Sequence, residues 1–406
     1  MAPVAAPLTR TDVFETASPG AVAYLKVARV MTTDTFPRKN ALAKRHQELG
    51  SKLDTEWNGR LIPQHYNTDP YDEVAIVRSK AGLFDVSALR IINVSGPDAA
   101  EVLNRMLTSD VGKLKPGQSA ISNIVDENGA LIDDVLVYRD SPTAFRVSHG
   151  GGRLDTVIAS FFEGSQSTFD RDDDVHILSL QGPAALDILR PHTDLDLTGV
   201  KYFEHAPTAL FGRSVSIGRG GYSAERGYEV FCAAADAEFL WDKVMEAGKP
   251  YGICAASWDC LDIVRVEGAL LFFPFDMPQG DETPWEVGAD WTVDLSKPDF
   301  HGKAALERRR REVRYANVGL EIDADEAIEP GARLVRDGRT VGRINSTTYS
   351  RHLMKSIALA QVTPDLTAFG TEFAVRSDKG PFTAHVVRIP FYDPNRLRTH
   401  PLEERA

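Results

Sequence analysis

The chain has 406 residues, 43% hydrophobic and 26% charged, the balance of a soluble globular protein long enough for two or three domains. Its net charge of −12, from 46 basic and 58 acidic residues, argues against a general nucleic-acid or anionic-membrane binder, so an anionic ligand would need a local basic pocket. No apolar run approaches the ~20 residues that span a bilayer. The three cysteines, Cys232, Cys254 and Cys260, are an odd number without metal-ligand spacing; they predict buried thiols in a reducing, cytoplasmic compartment and no bound metal.

Residues 1–35 are rich in Ala, Pro and Thr and read as an N-terminal extension, without the basic start and continuous apolar block of a secretory signal. Asn40 to Leu53 predicts a short amphipathic helix broken near Gly50. Trp57 to Tyr66 (WNGRLIPQHY) reads as a loop that packs an aromatic. Tyr71 to Lys80 predicts a helix that runs into a short buried strand, AGLFDVS, at Ala81–Ser87. Val94 to Leu103 opens a further helix with Pro97 near its first turn; Ala99, Val102, Leu103, Met106 and Leu107 form its apolar stripe. The same strand, Gly-Pro, helix pattern returns at Leu180–Leu189. A third strand–helix pair spans Gly227–Ala233 and Ala237–Ala247, closed by Gly248.

Between the first two units lies Asn123 to Tyr138, NIVDENGALIDDVLVY. Asp126-Glu127-Asn128-Gly129 is turn chemistry, and β-rich runs flank it, so a hairpin is predicted. The second run is apolar except for the adjacent acids Asp133 and Asp134. Neighbours on a strand face opposite ways, so at most one enters a given cavity and the other is expected to face solvent; two surface acids at a strand end is the other reading. Phe145 to Arg153 leads a strand into three glycines after His149. His-Gly-Gly-Gly resembles a lipase oxyanion loop, but no Gly-x-Ser-x-Gly nucleophile elbow accompanies it.

Ser257 to Leu271 predicts a helix carrying an Asp262–Arg265 pair. Phe272, Phe273 and Phe275 follow as a core cluster or a ligand cage. The charged run Glu307–Arg314 reads as the solvated tail of a helix and the link to a final all-β module with Gly/Pro turns.

Glu127–Tyr138, ENGALIDDVLVY, resembles the signature of the glycine-cleavage T-protein (aminomethyltransferase) superfamily, which includes tetrahydrofolate-dependent demethylases. AGLFDVS, QGP at Gln181–Pro183, GYEV at Gly227–Val230, RVEGALL at Arg265–Leu271, PWEVG at Pro284–Gly288, FHGKAAL at Phe300–Leu306 and KSIALAQV at Lys355–Val362 follow the same order. The resemblance implies an α+β, three-lobed fold around a central folate cavity: two interleaved lobes over residues 36–311 and a β-barrel over 312–406. It implies tetrahydrofolate as cofactor, Asp134 as the catalytic aspartate and Glu229 as the anchor of the folate amino-pyrimidine. Tyr222, Ser148 and Tyr66 are further expected folate contacts, and His149 is a candidate acid–base group. Trp57, Trp258, Phe273 and Phe275 are the expected substrate contacts.

Some positions depart from the T-protein pattern. Ser148 stands for its Asn, Leu261 for its Arg, and Phe-Pro at 273–274 for its Tyr-Gly, while Ala224-Glu225-Arg226-Gly227 is closer to sulfonium-compound demethylases. The implied activity is transfer of a one-carbon group from a small S-, N- or O-methylated compound to N5 of tetrahydrofolate. The alternatives are the aminomethyltransferase of glycine cleavage, which alone would bring a lipoylated carrier protein as partner, and a non-catalytic folate-binding module.

Overall fold

The computed structural model describes residues 38–401, so the expected extension over 1–35 lies outside the described residues. The chain builds two sheets, one nested inside the other. It enters a six-stranded sheet at Gly82–Asp85, leaves for a five-stranded sheet over residues 90–172, and returns at Val175–Gln181. The five-stranded sheet is antiparallel, in the order Gln118–Val125, Leu131–Ser141, Ala144–His149, Arg90–Ser95 and Thr168–Asp172. The six-stranded sheet runs His205–Leu210, Arg213–Arg219, Gly227–Ala233, Val175–Gln181, Gly82–Asp85 and Cys254–Ala256, with only the last pair parallel.

The predicted hairpin forms where its turn residues stand. Asp126 accepts the backbone N–H groups of Asn128 and Ala130 at 2.9 and 2.8 Å, and Gly129 takes φ +78°, a left-handed backbone that suits glycine. The strand that follows, Leu131–Ser141, is covered on both faces. Val135 and Val137 pack with Val102, Leu103 and Met106 of the helix Ala99–Met106 and with Ile158 of the helix Leu154–Phe162. Tyr138 and Leu136 pack the other way, against Phe231 and Ile177 of the second sheet. Asp133 is therefore 0% exposed, and the expectation that it faces solvent is corrected. A helix layer covers the face that Asp133 points to, so that acid has no solvent side.

The last lobe closes as a six-stranded barrel, Ala316–Ile322, Lys355–Val362, Arg339–Ser350, Arg333–Arg336, Glu372–Ser377 and Gly380–Val387, filled by alternate residues such as Leu320, Ile322, Ala358 and Ala360. Buried charge ties it to the sheets. Arg78 bonds Glu225 at 3.2 Å and Glu267 at 2.7 Å; Ser350 of the barrel donates to Glu267 at 2.5 Å, and Tyr392 lies 3.9 Å from the Arg78 guanidinium. The charged run over 307–314 is largely exposed, as expected for the solvated end of a helix, but its last residue is tied down. Arg314 grips Glu286 at 2.7 Å and Asp281 at 2.6 Å, fastening the link between lobes.

Candidate functional site

Register places the candidate carboxylates. On Leu131–Ser141, Asp134, Leu136 and Tyr138 share one face, with Asn123 and Ser148 opposite Asp134 and Leu136 on the adjoining strands. On Gly227–Ala233, Glu229 and Phe231 share the face turned away from the core of Tyr228, Val230 and Cys232. These two faces meet across the layer that holds Tyr138, Ile177 and Phe231. Asp134, Leu136, Tyr222 and Glu229 are only half-buried there, which marks a cleft between the sheets. The Tyr138 hydroxyl donates to Glu229 Oε2 at 3.3 Å and so links the two sheets inside the cleft. Asp134 lies four residues from Tyr138, about 13 Å along the strand.

The two acids share an electrostatic character. Burial, and then the neighbouring Asp133 charge, pushes Asp134 up to about 7. Burial does the same to Glu229, also to about 7, against a smaller opposing effect of the Tyr138 hydrogen bond. Neither forms a salt bridge among the described residues, and Tyr138 is the one side chain that bonds either. Half-buried carboxylates that no protein cation neutralises are acceptors available to a ligand.

The other expected site residues divide. Ser148 is on the cleft face beside Leu136. Tyr222 sits at the cleft margin and donates to the Leu271 carbonyl, which fixes its ring. Tyr66 is not in the cleft. It is buried in the core, with its hydroxyl 2.9 Å from His46 Nδ1, while His46 Nε2 is 2.8 Å from Asp85. His149 is on the opposite face of its strand from Ser148, buried among Asp133, Asp155 and Arg90, so the structure does not bring it to Asp134 from the ligand side.

Trp57, Trp258 and Phe275 do come together. Trp57 lies 5.1 Å from Phe272, 6.0 Å from Phe275 and 6.3 Å from Trp258 between ring centroids, and Tyr222 is 6.4 Å from Phe272. Phe273 does not join them. It points into a separate core with Val125, Leu131, Met277 and Phe300, and Phe272 takes the place expected for it. The Phe272 backbone is held by Asp276, which accepts its N–H at 2.8 Å and pairs with the buried Arg265 at 2.8 Å.

Two of the three glycines after His149 serve close packing. A Cβ on Gly151 would stand 3.0 Å from the Trp57 ring, and one on Gly152 would collide with the Asp133 carboxylate. Sequence reasoning gave no role to Tyr138, and it named Phe273 instead of Phe272 as the substrate contact. The alternation Asp134, Leu136, Tyr138 along one strand is the signal that marks Tyr138; Phe272 lies in a loop without such a period. A separate cavity of about 460 Å³, lined by Asp140, Arg146, Asp172, Asp174, His205 and Phe231 among others, contains none of the expected site residues.

Two interleaved sheets, a closed barrel and a cleft bordered by two carboxylates define an aminomethyltransferase type of fold. Family models agree: the GCVT N-terminal domain matches residues 42–297, and the glycine cleavage T-protein C-terminal barrel domain matches 316–393. The chain belongs to the glycine cleavage T-protein family and is an enzyme of one-carbon transfer.

It is 41% identical over 369 residues to the heme-dependent oxidative N-demethylase gamma subunit of Ectopseudomonas mendocina, covering 89% of this chain and 97% of that protein. It is 34% identical over 373 residues to the aminomethyltransferase of Streptomyces coelicolor, covering 89% and 99%. The solved aminomethyltransferase T of the Bartonella henselae glycine cleavage system shares the fold, with a TM-score of 0.81 at 24% identity over 87% of this chain and 98% of that one. Among the described residues no helix is long and apolar enough to cross a membrane, and no group of three or more His, Cys, Asp or Glu is placed to hold a metal ion.

Proposed function

We propose that this chain passes a one-carbon unit from a small N-methylated compound to tetrahydrofolate. The observation that carries the reading is the pair Asp134 and Glu229, half-buried on facing sheets and without a salt bridge among the described residues. Tetrahydrofolate, when bound, supplies N5, the nucleophilic nitrogen that accepts the carbon. The residues present fit that group. Glu229 would accept two parallel N–H bonds from a 2-amino-4-oxo-pyrimidine edge, the pattern a carboxylate receives best. Tyr138 braces Glu229 from the opposite sheet, and Ser148 and Tyr222 border the same cleft. Asp134 orients the reacting nitrogen and favours positive charge growing on it, in a site from which burial removes most water.

The aromatic group of Trp57, Phe272, Phe275 and Trp258 offers ring faces to a methylated cation. The N-methyl class is favoured over S- and O-methyl donors by the identity to an N-demethylase subunit. Oxidising an N-methyl group leaves its carbon at the formaldehyde level, so 5,10-methylenetetrahydrofolate is the expected product of an oxidative donor and 5-methyltetrahydrofolate that of direct methyl transfer. The name of that relative also favours work alongside partner subunits. Aminomethyl transfer in glycine cleavage is the second reading, favoured by the identity to aminomethyltransferases across the whole match. The departures at Ser148, Ala224 and Leu261 speak against it.

The test supplies tetrahydrofolate with a panel of N-, S- and O-methyl compounds, formaldehyde, and an aminomethyl-lipoyl carrier, and follows folate products by chromatography. N-methyl donors should give product, or formaldehyde should give it faster than its uncatalysed condensation with tetrahydrofolate. Product from the carrier alone would instead establish the second reading.

A further inference from the structure

We propose that His149 is a positioning residue that acts on Asp134 through the strand, by balancing the buried charge of Asp133 behind it. This rests on the reading of Asp134 as the residue that serves transfer. Asp133 and Asp134 are consecutive on one strand and point to opposite faces, so whatever sits behind the strand is electrically close to the residue in front.

Behind the strand is a set of charges. Asp133, 0% exposed, accepts the Leu154 N–H at 2.9 Å, at the start of the helix Leu154–Phe162, and lies 3.1 Å from His149 Nδ1. His149 Nε2 lies 3.5 Å from Asp155, and Asp155 pairs with Arg90 from the strand Arg90–Ser95. These are charge contacts more than aligned hydrogen bonds, because neither ring nitrogen of His149 points along a bond to its acid. Asp133 and Asp155 both lie against His149, so a proton on its ring offsets negative charge behind the strand. In front, the residue opposite Asp134 is the neutral Asn123, whose amide donates to Thr292. The nearby charges that act on Asp134 are Asp133 and His149, with opposite sign.

Burial alone would lower the His149 pKa; Asp133 and Asp155 outweigh it and raise it to about 9. The imidazolium is therefore present over the neutral range, and its charge makes it easier for Asp134 to ionise. Removing it leaves Asp133 uncompensated. A buried negative charge roughly 7–8 Å from Asp134 then raises the Asp134 titration by about 1.5 pH units at an effective dielectric near 20. The glycine at 152 fits this arrangement, since any side chain there would displace Asp133.

The test has two arms. In the first, NMR of ¹⁵N-histidine protein follows the His149 ring. A titration near pH 9 supports the proposal, and one at or below the free value near 6.5 overturns it; this arm needs no variant. In the second, the Asp134 carboxyl carbon and the pH profile of transfer are followed in wild type, in His149→Asn and in Asp133→Asn/His149→Asn.

His149→Asn should move the Asp134 titration and the acid limb of the rate upward by about 1.5 pH units, with the high-pH plateau largely kept. The double variant should return both toward the wild-type position. Loss of rate at every pH with an unmoved limb overturns the proposal, because that is what a packing role alone would give. If His149→Asn does not fold, Asp155→Asn, at the edge of the cluster, should still lower the His149 titration. A wild-type protein that transfers nothing, yet shows the shifted Asp134 carboxyl in His149→Asn, would sink the functional reading and leave the charge coupling standing.

Discussion

Glu229→Gln probes the folate anchor, and the structure sets its size. Glu229 stands at about 7 because burial opposes its charge. A ligand that offers two N–H donors needs the carboxylate, so binding must exclude the proton. At pH 6 about one Glu229 in ten is ionised, and tetrahydrofolate should bind about tenfold more weakly than at pH 8, or about 1.4 kcal/mol. Gln keeps the shape and one acceptor but loses the charge, so about 1.5–3 kcal/mol of charge-assisted bonding should go at pH 8.

That is roughly 10- to 150-fold in Kd, and the variant should show no pH slope from this position. At pH 6 the two proteins should converge. Isothermal titration calorimetry with tetrahydrofolate between pH 6 and 8 measures both effects, in an Asp134→Asn background so that the second carboxylate does not titrate. A wild-type affinity independent of pH, or a Glu229→Gln affinity within twofold of wild type at pH 8, would remove Glu229 from the ligand.

Asp134→Asn should stabilise the ligand-free protein in a pH-dependent way. The folded pKa of about 7 lies above the unfolded 3.8, so the folded state holds the proton more tightly; this helps folding at low pH, and the help is lost as pH rises through 7. The full difference corresponds to an upper limit of about 4 kcal/mol. With partial solvent screening about 1–2 kcal/mol is expected at pH 8 and almost none at pH 4, read from urea unfolding at both pH values. Phe273→Ala should cost about 3–5 kcal/mol by emptying a core position. Phe272→Ala should leave stability nearly intact and raise KM for the methyl donor several-fold; equal thermal shifts in the two would contradict the division between core and cleft. Ala224 holds φ +62° in the loop before Glu229, so Ala224→Gly should raise stability by about 1 kcal/mol, seen as a higher Tm.

Most of the fold was legible in the residues. The order of strand and helix signals and of the family-like motifs located the lobes, and the turn residues at 126–129 located the hairpin that carries Asp134. What escaped depends on contacts between distant elements. Alternation correctly sends Asp133 and Asp134 to opposite faces, but a single strand cannot report that both of its faces are covered. Phe272 and Phe273 are adjacent in a loop without a period, so composition alone cannot say which enters the core. Tyr66 lies in a segment that looks ligand-facing, yet its hydroxyl meets His46, 20 residues earlier, inside the core. The surroundings of His149 come from three elements, Asp133, Asp155 and Arg90, and no local pattern joins them.

The central claim is that the carboxylate of Asp134 serves one-carbon transfer. Single-turnover formation of 5-methyl- or 5,10-methylenetetrahydrofolate by wild type and Asp134→Asn at pH 8, with both ligands saturating, tests it most directly. The substitution keeps the shape and removes the charge, so the rate should fall about 10²-fold or more while tetrahydrofolate and donor affinities change little. An Asp134→Asn enzyme that forms product at the wild-type rate would contradict the account.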